Sequence, residues 1–128
     1  MKETRHSKQR DAVLEYLRST KTHPTAESVH IKLREQIPNI SLGTVYRNLS
    51  QLEEMGLVRK IVQGTEPDRY DADTSPHSHL KCHSCGSVSD IFIDPGDLDL
   101  LAAASCGGNI EGHDIMFYGV CANCKKDL

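Results

Sequence analysis

Apolar residues recur every three or four positions in three stretches of the first 56 residues, which predicts three amphipathic helices. Thr25 and Ser41 precede the second and third stretches and are favourable N-cap residues. Pro38 ends the second stretch, and Gly56 ends the third. The apolar positions that define the three faces are Val13, Tyr16 and Leu17; Ala26, Val29, Leu33 and Ile37; and Val45, Leu49, Leu52 and Met55.

The pattern becomes extended after Gly56. Residues 57–62 and a short run that ends at Asp71 bracket the turn-forming sequence 64–68, so we expect a strand, a turn and a second strand. Three helices followed by such a hairpin predict a winged helix-turn-helix.

The second half begins after the polar segment 73–76, which we interpret as a hinge. Strand-like runs lie near residues 79–81, 88–93 and 115–120, and Asp97 is placed to cap a helix that ends at a Gly-Gly pair. This alternation predicts a small α/β unit, so the whole chain is predicted to have an α+β fold.

The 128-residue chain has a formal net charge of −3, but the charge is unevenly distributed. Residues 1–60 contain 11 Lys and Arg against 7 Asp and Glu, whereas residues 61–128 contain 4 against 11. We interpret the basic half as a nucleic-acid reader joined to an acidic metal-binding half. Uneven surface charge without a partner is the alternative.

Membrane and export segments are not expected in this sequence. No apolar run approaches the roughly 20 residues that a membrane span needs. The first residues are polar and do not resemble the apolar core of a signal peptide. We therefore expect a cytoplasmic protein with no membrane partner.

The third predicted helix has the position of the recognition helix in a helix-turn-helix. Arg47 is the best candidate for a base contact because arginine forms two hydrogen bonds with guanine, whereas hydroxyl groups more often bind phosphates. A protein-binding module with a solvated Arg47 and a core Tyr46 is the alternative. The predicted DNA-binding residues are Ser41, Thr44, Tyr46, Arg47 and Asn48, with Lys8 and Arg10 as further phosphate contacts.

Four cysteines form two Cys-x-x-Cys pairs with identical spacing. Two such turns deliver four thiolates to one tetrahedral ion, so we predict a structural Zn²⁺ site. A dithiol redox switch is the main alternative, but it needs an exposed thiolate beside basic groups. The remaining Cys106 is expected to be a small buried apolar residue. The predicted zinc ligands are Cys82, Cys85, Cys121 and Cys124.

A second metal site is indicated by His77 and His79, whose rings project to the same side of an extended segment. Asp71 and Asp90 flank them in the sequence, and this set of nitrogen and oxygen ligands suits Fe²⁺, Mn²⁺, Zn²⁺ or Co²⁺. The alternative is that the two histidines are merely solvated. From the residues alone, His23 is interpreted as a solvated loop residue.

Four motifs stand out in the sequence, namely His23-Pro24-Thr25-Ala26-Glu27, Ser41-Leu42-Gly43-Thr44-Val45-Tyr46-Arg47-Asn48-Leu49, His77-Ser78-His79-Leu80-Lys81-Cys82-His83-Ser84-Cys85-Gly86 and Tyr118-Gly119-Val120-Cys121-Ala122-Asn123-Cys124. Together they resemble the ferric uptake regulator family, and the resemblance covers nearly the whole chain. Members are dimeric bacterial transcription repressors with an N-terminal winged helix, a C-terminal dimerisation domain, a structural zinc held by four cysteines, and a regulatory metal at the hinge. The resemblance implies a winged-helix DNA-binding domain at 1–72, a hinge at 73–76 and a zinc-binding dimerisation domain at 77–128.

The resemblance also implies the regulatory ligands, which are His23, Asp71, His77, His79 and Asp90. Aspartate at the last of these positions is similar to the peroxide-sensing branch, in which peroxide oxidises iron-bound histidines and the DNA is released. By that resemblance, His23 and His77 are the oxidation candidates, and Fe²⁺ or Mn²⁺ is the regulatory ion. Zinc has no accessible redox step for such a role.

The resemblance therefore implies a metal-dependent, peroxide-responsive repressor that binds a two-fold symmetric double-stranded DNA operator as a homodimer. We do not expect an enzyme, nor a small-molecule substrate other than metal ions and peroxide. One alternative is a repressor of the same family that senses the level of iron, manganese or zinc. The others are a metal-dependent enzyme that uses the His/Asp cluster and a zinc-stabilised adaptor for protein interactions.

Overall fold

The computed structural model describes the backbone of residues 5–128 and the side chains of residues 7–128. The chain forms two compact units, and the division lies between Ser75 and Pro76, inside the segment that the sequence marks as a hinge. Each unit has its own sheet. Within the described part of the chain, no helix has both the length and the apolar character needed to cross a bilayer.

The first unit has the winged-helix order of elements that the sequence predicts. Three helices precede an antiparallel two-stranded hairpin in which Lys60 is opposite Tyr70 and Ile61 is opposite Arg69. The register is irregular between Ile61 and Gln63, close to the tip of the hairpin. The elements are α1 (Arg5–Ser19), α2 (Ala26–Leu33), α3 (Leu42–Glu54), β1 (Arg59–Gln63) and β2 (Glu66–Asp71).

One apolar cluster holds the three helices and the hairpin together. It is built from the helical faces that the sequence predicts, and Tyr70 of β2 joins it with only 5% of its surface exposed. Removal of this apolar surface from water is the main stabilising contribution to the unit. The buried members are Val13, Leu17, Ala26, Val29, Leu33, Ile40, Val45, Leu49, Leu52, Val58 and Tyr70.

The predicted N-caps of α2 and α3 are confirmed. The Thr25 hydroxyl accepts a hydrogen bond from the Ser28 backbone N–H at 3.2 Å. The Ser41 hydroxyl accepts one from the Thr44 N–H at 3.1 Å. Each bond satisfies one of the N–H groups that a helix start leaves without an intrahelical acceptor.

Two helix ends differ from the sequence prediction. Helix α2 ends at Leu33 instead of continuing to Pro38, and the backbone N–H groups of Gln36 and Ile37 both donate to the Leu33 carbonyl, at 3.0 and 2.8 Å. A residue that precedes proline is biased away from the helical conformation, so a turn replaces the last predicted helical residues. Met55 does not extend the core face of α3, because it caps the helix end and is 54% exposed.

The second unit contains a three-stranded sheet with the order β4-β3-β5. The central strand β3 runs antiparallel to β4 and parallel to β5. Its apolar core is small, since the buried hydrophobic residues described in this unit are Cys82 and Val88. The elements are β3 (Ser78–Cys82), β4 (Val88–Ile91), α4 (Leu98–Cys106), β5 (Met116–Gly119) and α5 (Ala122–Lys125).

Three details of the second unit differ from the sequence prediction. Asp97 precedes α4 but its side chain makes no capping hydrogen bond. Cys106 is exposed, whereas the sequence led us to expect a buried residue. The four-residue helix α5 was not predicted, because it begins directly after Cys121 within the second Cys-x-x-Cys pair and is too short to show periodicity.

Replacement of Leu49 by Ala is expected to lower the free energy of unfolding by about 2–5 kcal/mol, because the side chain is fully buried and its removal leaves a cavity. Ile31 is a matched control, since it lies on α2 but is 68% exposed. Ile31→Ala should change stability by no more than about 0.5 kcal/mol. Urea unfolding followed by circular dichroism measures both, and equal losses would contradict the observed core.

Candidate metal centres and recognition helix

The two Cys-x-x-Cys pairs lie at the carboxyl ends of two neighbouring strands in the second unit. Strand β3 ends at Cys82, and the parallel strand β5 ends at Gly119, which is the register partner of Cys82. The His83 backbone N–H donates to the Gly119 carbonyl at 2.9 Å and extends this pairing. Because the strands are parallel, the turns that follow them lie at the same end of the sheet.

The four cysteine sulfurs have the spacing of a tetrahedral metal site. All four lie within 4.8 Å of one another, and the Cys85 and Cys121 sulfurs are 3.8 Å apart. A zinc ion with Zn–S bonds of about 2.3 Å places its sulfur ligands about 3.8 Å from one another. Sulfur is the donor that zinc accepts in closed structural sites, so these residues fit Zn²⁺.

The pKa values of the clustered thiols also indicate a cation site. The backbone amides of Cys121 and Cys85 lower the pKa of the Cys82 thiol to about 5. The Ser84 hydroxyl favours ionisation of Cys124, but the neighbouring thiols of Cys121 and Cys85 outweigh it and raise the pKa of Cys124 to about 12. Four thiols this close do not ionise together unless a positive charge compensates them.

In the first unit, His23 and Asp71 form a buried pair. His23 Nε2 lies 3.2 Å from Asp71 Oδ2, and the two residues are only 3% and 8% exposed. The second Asp71 oxygen, Oδ1, accepts a hydrogen bond from the Asp73 backbone N–H at 2.9 Å. The interpretation of His23 as a solvated loop residue is therefore wrong, because the end of β2 covers the loop that carries it.

In the second unit, His77 and His79 share one carboxylate oxygen. Their Nε2 atoms lie 3.1 and 3.4 Å from Asp90 Oδ1, and the centroids of the two rings are 4.6 Å apart. Asp90 is the register partner of His79 on β4, which explains its position. Both histidines are buried, and the Phe92 ring packs against His77 with the centroids 4.9 Å apart.

The side chains of α3 divide between the core and the surface. Tyr46 is 46% exposed and Arg47 is exposed, so the alternative that places Tyr46 in the core is wrong. Arg47 Nη2 donates to the Thr44 hydroxyl at 3.0 Å, and that hydroxyl lies 2.9 Å from the Ser41 hydroxyl. Ser41, Thr44 and Arg47 therefore form one hydrogen-bonded polar surface at the start of α3. On α1, Lys8 is exposed and Arg10 is half-buried.

Asn48 contradicts the prediction of a DNA-facing residue. It is only 5% exposed, and its Nδ2 atom has no hydrogen-bond partner among the residues that the structure describes. The sequence already contained the signal, because position 48 is three residues after Val45 and four before Leu52, on the apolar side of the helix.

Arg69 belongs to no motif in the sequence, yet it contacts the loop that carries His23. Its Nη1 atom donates to the backbone carbonyls of Thr22 and His23, at 3.2 and 3.1 Å. No spacing rule predicts this contact, since Arg69 and His23 are far apart in the sequence and meet only when β2 packs beside the loop.

The chain is similar to known proteins over most of its length. The family model described as "Ferric uptake regulator family" matches residues 1–118. A peroxide operon regulator from Bacillus subtilis is 41% identical over 130 aligned positions, which cover 98% of this chain and 89% of the relative. A peroxide-responsive repressor, PerR, from Staphylococcus aureus is 35% identical over 118 positions, which cover 91% of this chain and 80% of the relative.

The fold is also shared with solved structures. The crystal structure of the Campylobacter jejuni peroxide stress regulator superposes with a TM-score of 0.78 at 28% identity, and the match covers 93% of this chain and 90% of that one. The predicted α+β fold class and the predicted role as a metal-dependent transcriptional regulator are confirmed. Regulators of this kind are not enzymes. By the extent of the match and the fold, this chain belongs to the ferric uptake regulator family.

Proposed function

We propose that this chain is a metal-dependent, peroxide-responsive repressor that acts in the cytoplasm and binds a two-fold symmetric double-stranded DNA operator as a homodimer. The relatives from Bacillus subtilis and Staphylococcus aureus, which are a peroxide operon regulator and a peroxide-responsive repressor, support this function. The observation that carries the proposal is the pair of largely buried His/Asp clusters, one in each unit of the chain.

The regulatory metal site combines the two clusters. We assign its five ligands as His23 and Asp71 from the first unit and His77, His79 and Asp90 from the second. Three imidazole nitrogens and two carboxylate groups suit Fe²⁺ or Mn²⁺. An ion that takes ligands from both units favours the arrangement in which all five reach it, and it shifts the population toward that arrangement only because it binds it more tightly.

The structural metal is Zn²⁺, held by Cys82, Cys85, Cys121 and Cys124. The small apolar core of the second unit supports this assignment, because a unit of about 50 residues usually needs a metal or a partner for stability. A closed site of four thiolates leaves no position for substrate, which agrees with a structural role.

The second unit, residues 77–128, is the proposed dimerisation domain. Leu100, Leu101 and Tyr118 are 70%, 67% and 77% exposed, and further apolar side chains of this unit are exposed with them. Apolar surface on this scale favours association with a partner. The additional exposed residues are Phe92, Ile93, Leu98 and Phe117.

The first unit, residues 1–72, is the proposed DNA-binding domain, and the segment 73–76 is its hinge. We assign base recognition to Arg47, since a guanidinium forms two hydrogen bonds with a guanine edge. The hydroxyl groups of Ser41, Thr44 and Tyr46 and the cations Lys8 and Arg10 are assigned to phosphate contacts. Asn48 has no such role, because it is buried.

Peroxide sensing rests on His23 and His77 beside the regulatory ion. Bound Fe²⁺ supplies the redox step that activates peroxide, which Mn²⁺ and Zn²⁺ supply far less readily. In the net reaction, a ring carbon of His23 or His77 gains one oxygen atom, and the second peroxide oxygen leaves as water. The modified ring is a poorer nitrogen donor, so the two units are no longer held by a complete ligand set and the operator is released.

Oxidation of the Fe²⁺-loaded protein is the experiment that tests this function. After treatment with peroxide, we expect peptides that contain His23 or His77 to gain the mass of one oxygen atom, and operator binding to fall in parallel. Mn²⁺-loaded protein is the control and should keep both its mass and its DNA affinity. Equal oxidation of the exposed His113 would show unselective damage and would count against peroxide sensing at this site.

Replacement of His23 by Ala is expected to weaken metal-dependent operator binding by about tenfold or more, since it removes an imidazole from the proposed ligand set. Zinc content should stay at the wild-type level, because the cysteines belong to the second unit. His113→Ala is the matched control, since His113 contacts Asp99 at 2.7 Å and neither residue belongs to the proposed ligand set. Fluorescence anisotropy with and without Mn²⁺ gives the comparison, and unchanged metal dependence would refute the bridging role of His23.

Replacement of Cys85 by Ser is expected to release most of the zinc and to lower the unfolding temperature, because three thiolates and a hydroxyl make a poorer zinc site. Cys106→Ser provides the control, since Cys106 is exposed and does not belong to the four-sulfur cluster. Elemental analysis and thermal unfolding measure the two effects. If both variants retain zinc equally, the four-cysteine assignment is wrong.

A further inference from the structure

The backbone of His23 adopts a conformation that its local sequence does not favour. Its φ is 54°, and it is the one non-glycine residue with positive φ in the described part of the chain. Histidine enters this left-handed region more readily than most residues, but a following proline, here Pro24, biases the preceding residue toward extended backbone. Such a conformation persists only when the surrounding structure imposes it.

Strand β2 supplies the contacts that hold this loop. The Arg69 guanidinium donates from Nη1 to the carbonyls of Thr22 and His23, at 3.2 and 3.1 Å, so it binds the peptide groups on both sides of the His23 α-carbon. Next to it, the Tyr70 backbone N–H donates to the Pro24 carbonyl at 3.0 Å. An isolated antiparallel bridge between Thr25 and Arg69 completes the attachment.

Strand β2 also contacts the imidazole ring of His23. Arg69 and Asp71 are two residues apart on β2, so their side chains leave the strand on the same side. Arg69 binds the His23 backbone, while Asp71 Oδ2 lies 3.2 Å from the ring nitrogen Nε2. The direction of the imidazole is therefore set by two side chains of one strand.

Arg69 also connects this loop to the rest of the hairpin. Its Nε atom donates to Gln63 Oε1 on β1 at 3.3 Å, and Gln63 Nε2 donates to the Pro67 carbonyl at 2.7 Å. One guanidinium thus joins the His23 backbone to both strands of the hairpin, close to the irregularity in its register.

We propose that Arg69 is a positioning residue for the regulatory metal. It holds the His23 backbone in the left-handed conformation that presents the imidazole beside Asp71, and it ties the state of His23 to the β1–β2 hairpin. This role rests on the proposed function of His23 as a ligand. A ligand that is oriented in advance loses less conformational freedom when the ion binds, so loss of Arg69 lowers metal affinity without removing a ligand atom.

The test compares Mn²⁺ affinity in the full-length protein. Arg69→Met keeps most of the side-chain length and removes every donor, whereas Arg69→Lys keeps the charge and one donor group. We expect Arg69→Met to weaken Mn²⁺ binding by about ten- to a hundredfold, the range typical of residues that orient metal ligands, with Arg69→Lys between it and the wild type. Arg18→Met is the matched control, because it removes an exposed arginine of the same unit and should bind Mn²⁺ normally.

A double-mutant cycle separates positioning from a general loss of charge. If Arg69 acts through His23, Arg69→Met should cause no further loss of Mn²⁺ affinity in the His23→Ala background. A full additional loss there would overturn the proposal. Without added Mn²⁺, hydrogen exchange should be faster at residues 22–25 in Arg69→Met than in the wild type, and unchanged in α3; equal exchange in the loop would also overturn it.

The outcomes distinguish this inference from the proposed function. If His23→Ala leaves Mn²⁺ affinity unchanged, the assignment of His23 as a ligand fails, and the positioning role of Arg69 fails with it. If His23→Ala weakens binding and Arg69→Met does not, only the positioning role is refuted. If Arg69→Met no longer unfolds cooperatively, Arg69→Lys replaces it in the same comparison. Wild-type Mn²⁺ affinity of Arg69→Lys, together with wild-type hydrogen exchange in the loop, would then count against the proposal.

Discussion

The proposed regulatory chemistry depends on two largely buried carboxylates, Asp71 and Asp90, whose side chains are 9% and 12% exposed. A buried carboxylate is costly unless it is paired, and each of these lies against imidazole rings of its own unit. The pairing brings imidazole nitrogens and carboxylate oxygens together at positions that are largely shielded from water. A divalent cation is the partner that satisfies such a group of donors, and the proposed regulatory site follows from that electrostatic requirement.

The thiol cluster solves a different problem in the same chain. Its four sulfurs belong to one unit, where the parallel pairing of β3 and β5 places both Cys-x-x-Cys turns at one edge. That unit buries little apolar surface, so a tightly bound ion is a substantial part of what holds it together. Because zinc is not redox-active and prefers thiolates, donor chemistry distinguishes the structural metal from the regulatory metal.

Strand β2 links the metal chemistry to the hairpin of the winged helix. Its Tyr70 joins the apolar core, and its Asp71 pairs with the His23 ring. Its Arg69 donates hydrogen bonds to the loop that carries His23. Non-glycine backbone in the left-handed region tends to occur where function requires a particular geometry. In this chain it occurs at His23, which is also the residue that the proposed mechanism asks to join the two units.

The amino-acid sequence by itself determined the three helices and the hairpin of the first unit, the caps at Thr25 and Ser41, and which four cysteines come together, because these depend on spacing along the chain. The polarity of Asn48 wrongly predicted an exposed side chain, because its position on the apolar side of α3 decides its burial. Burial of His23, the sharing of Asp90 by His77 and His79, and the contacts of Arg69 were decided only by the tertiary structure. They join residues distant in sequence, and no local periodicity records which loop a strand will cover.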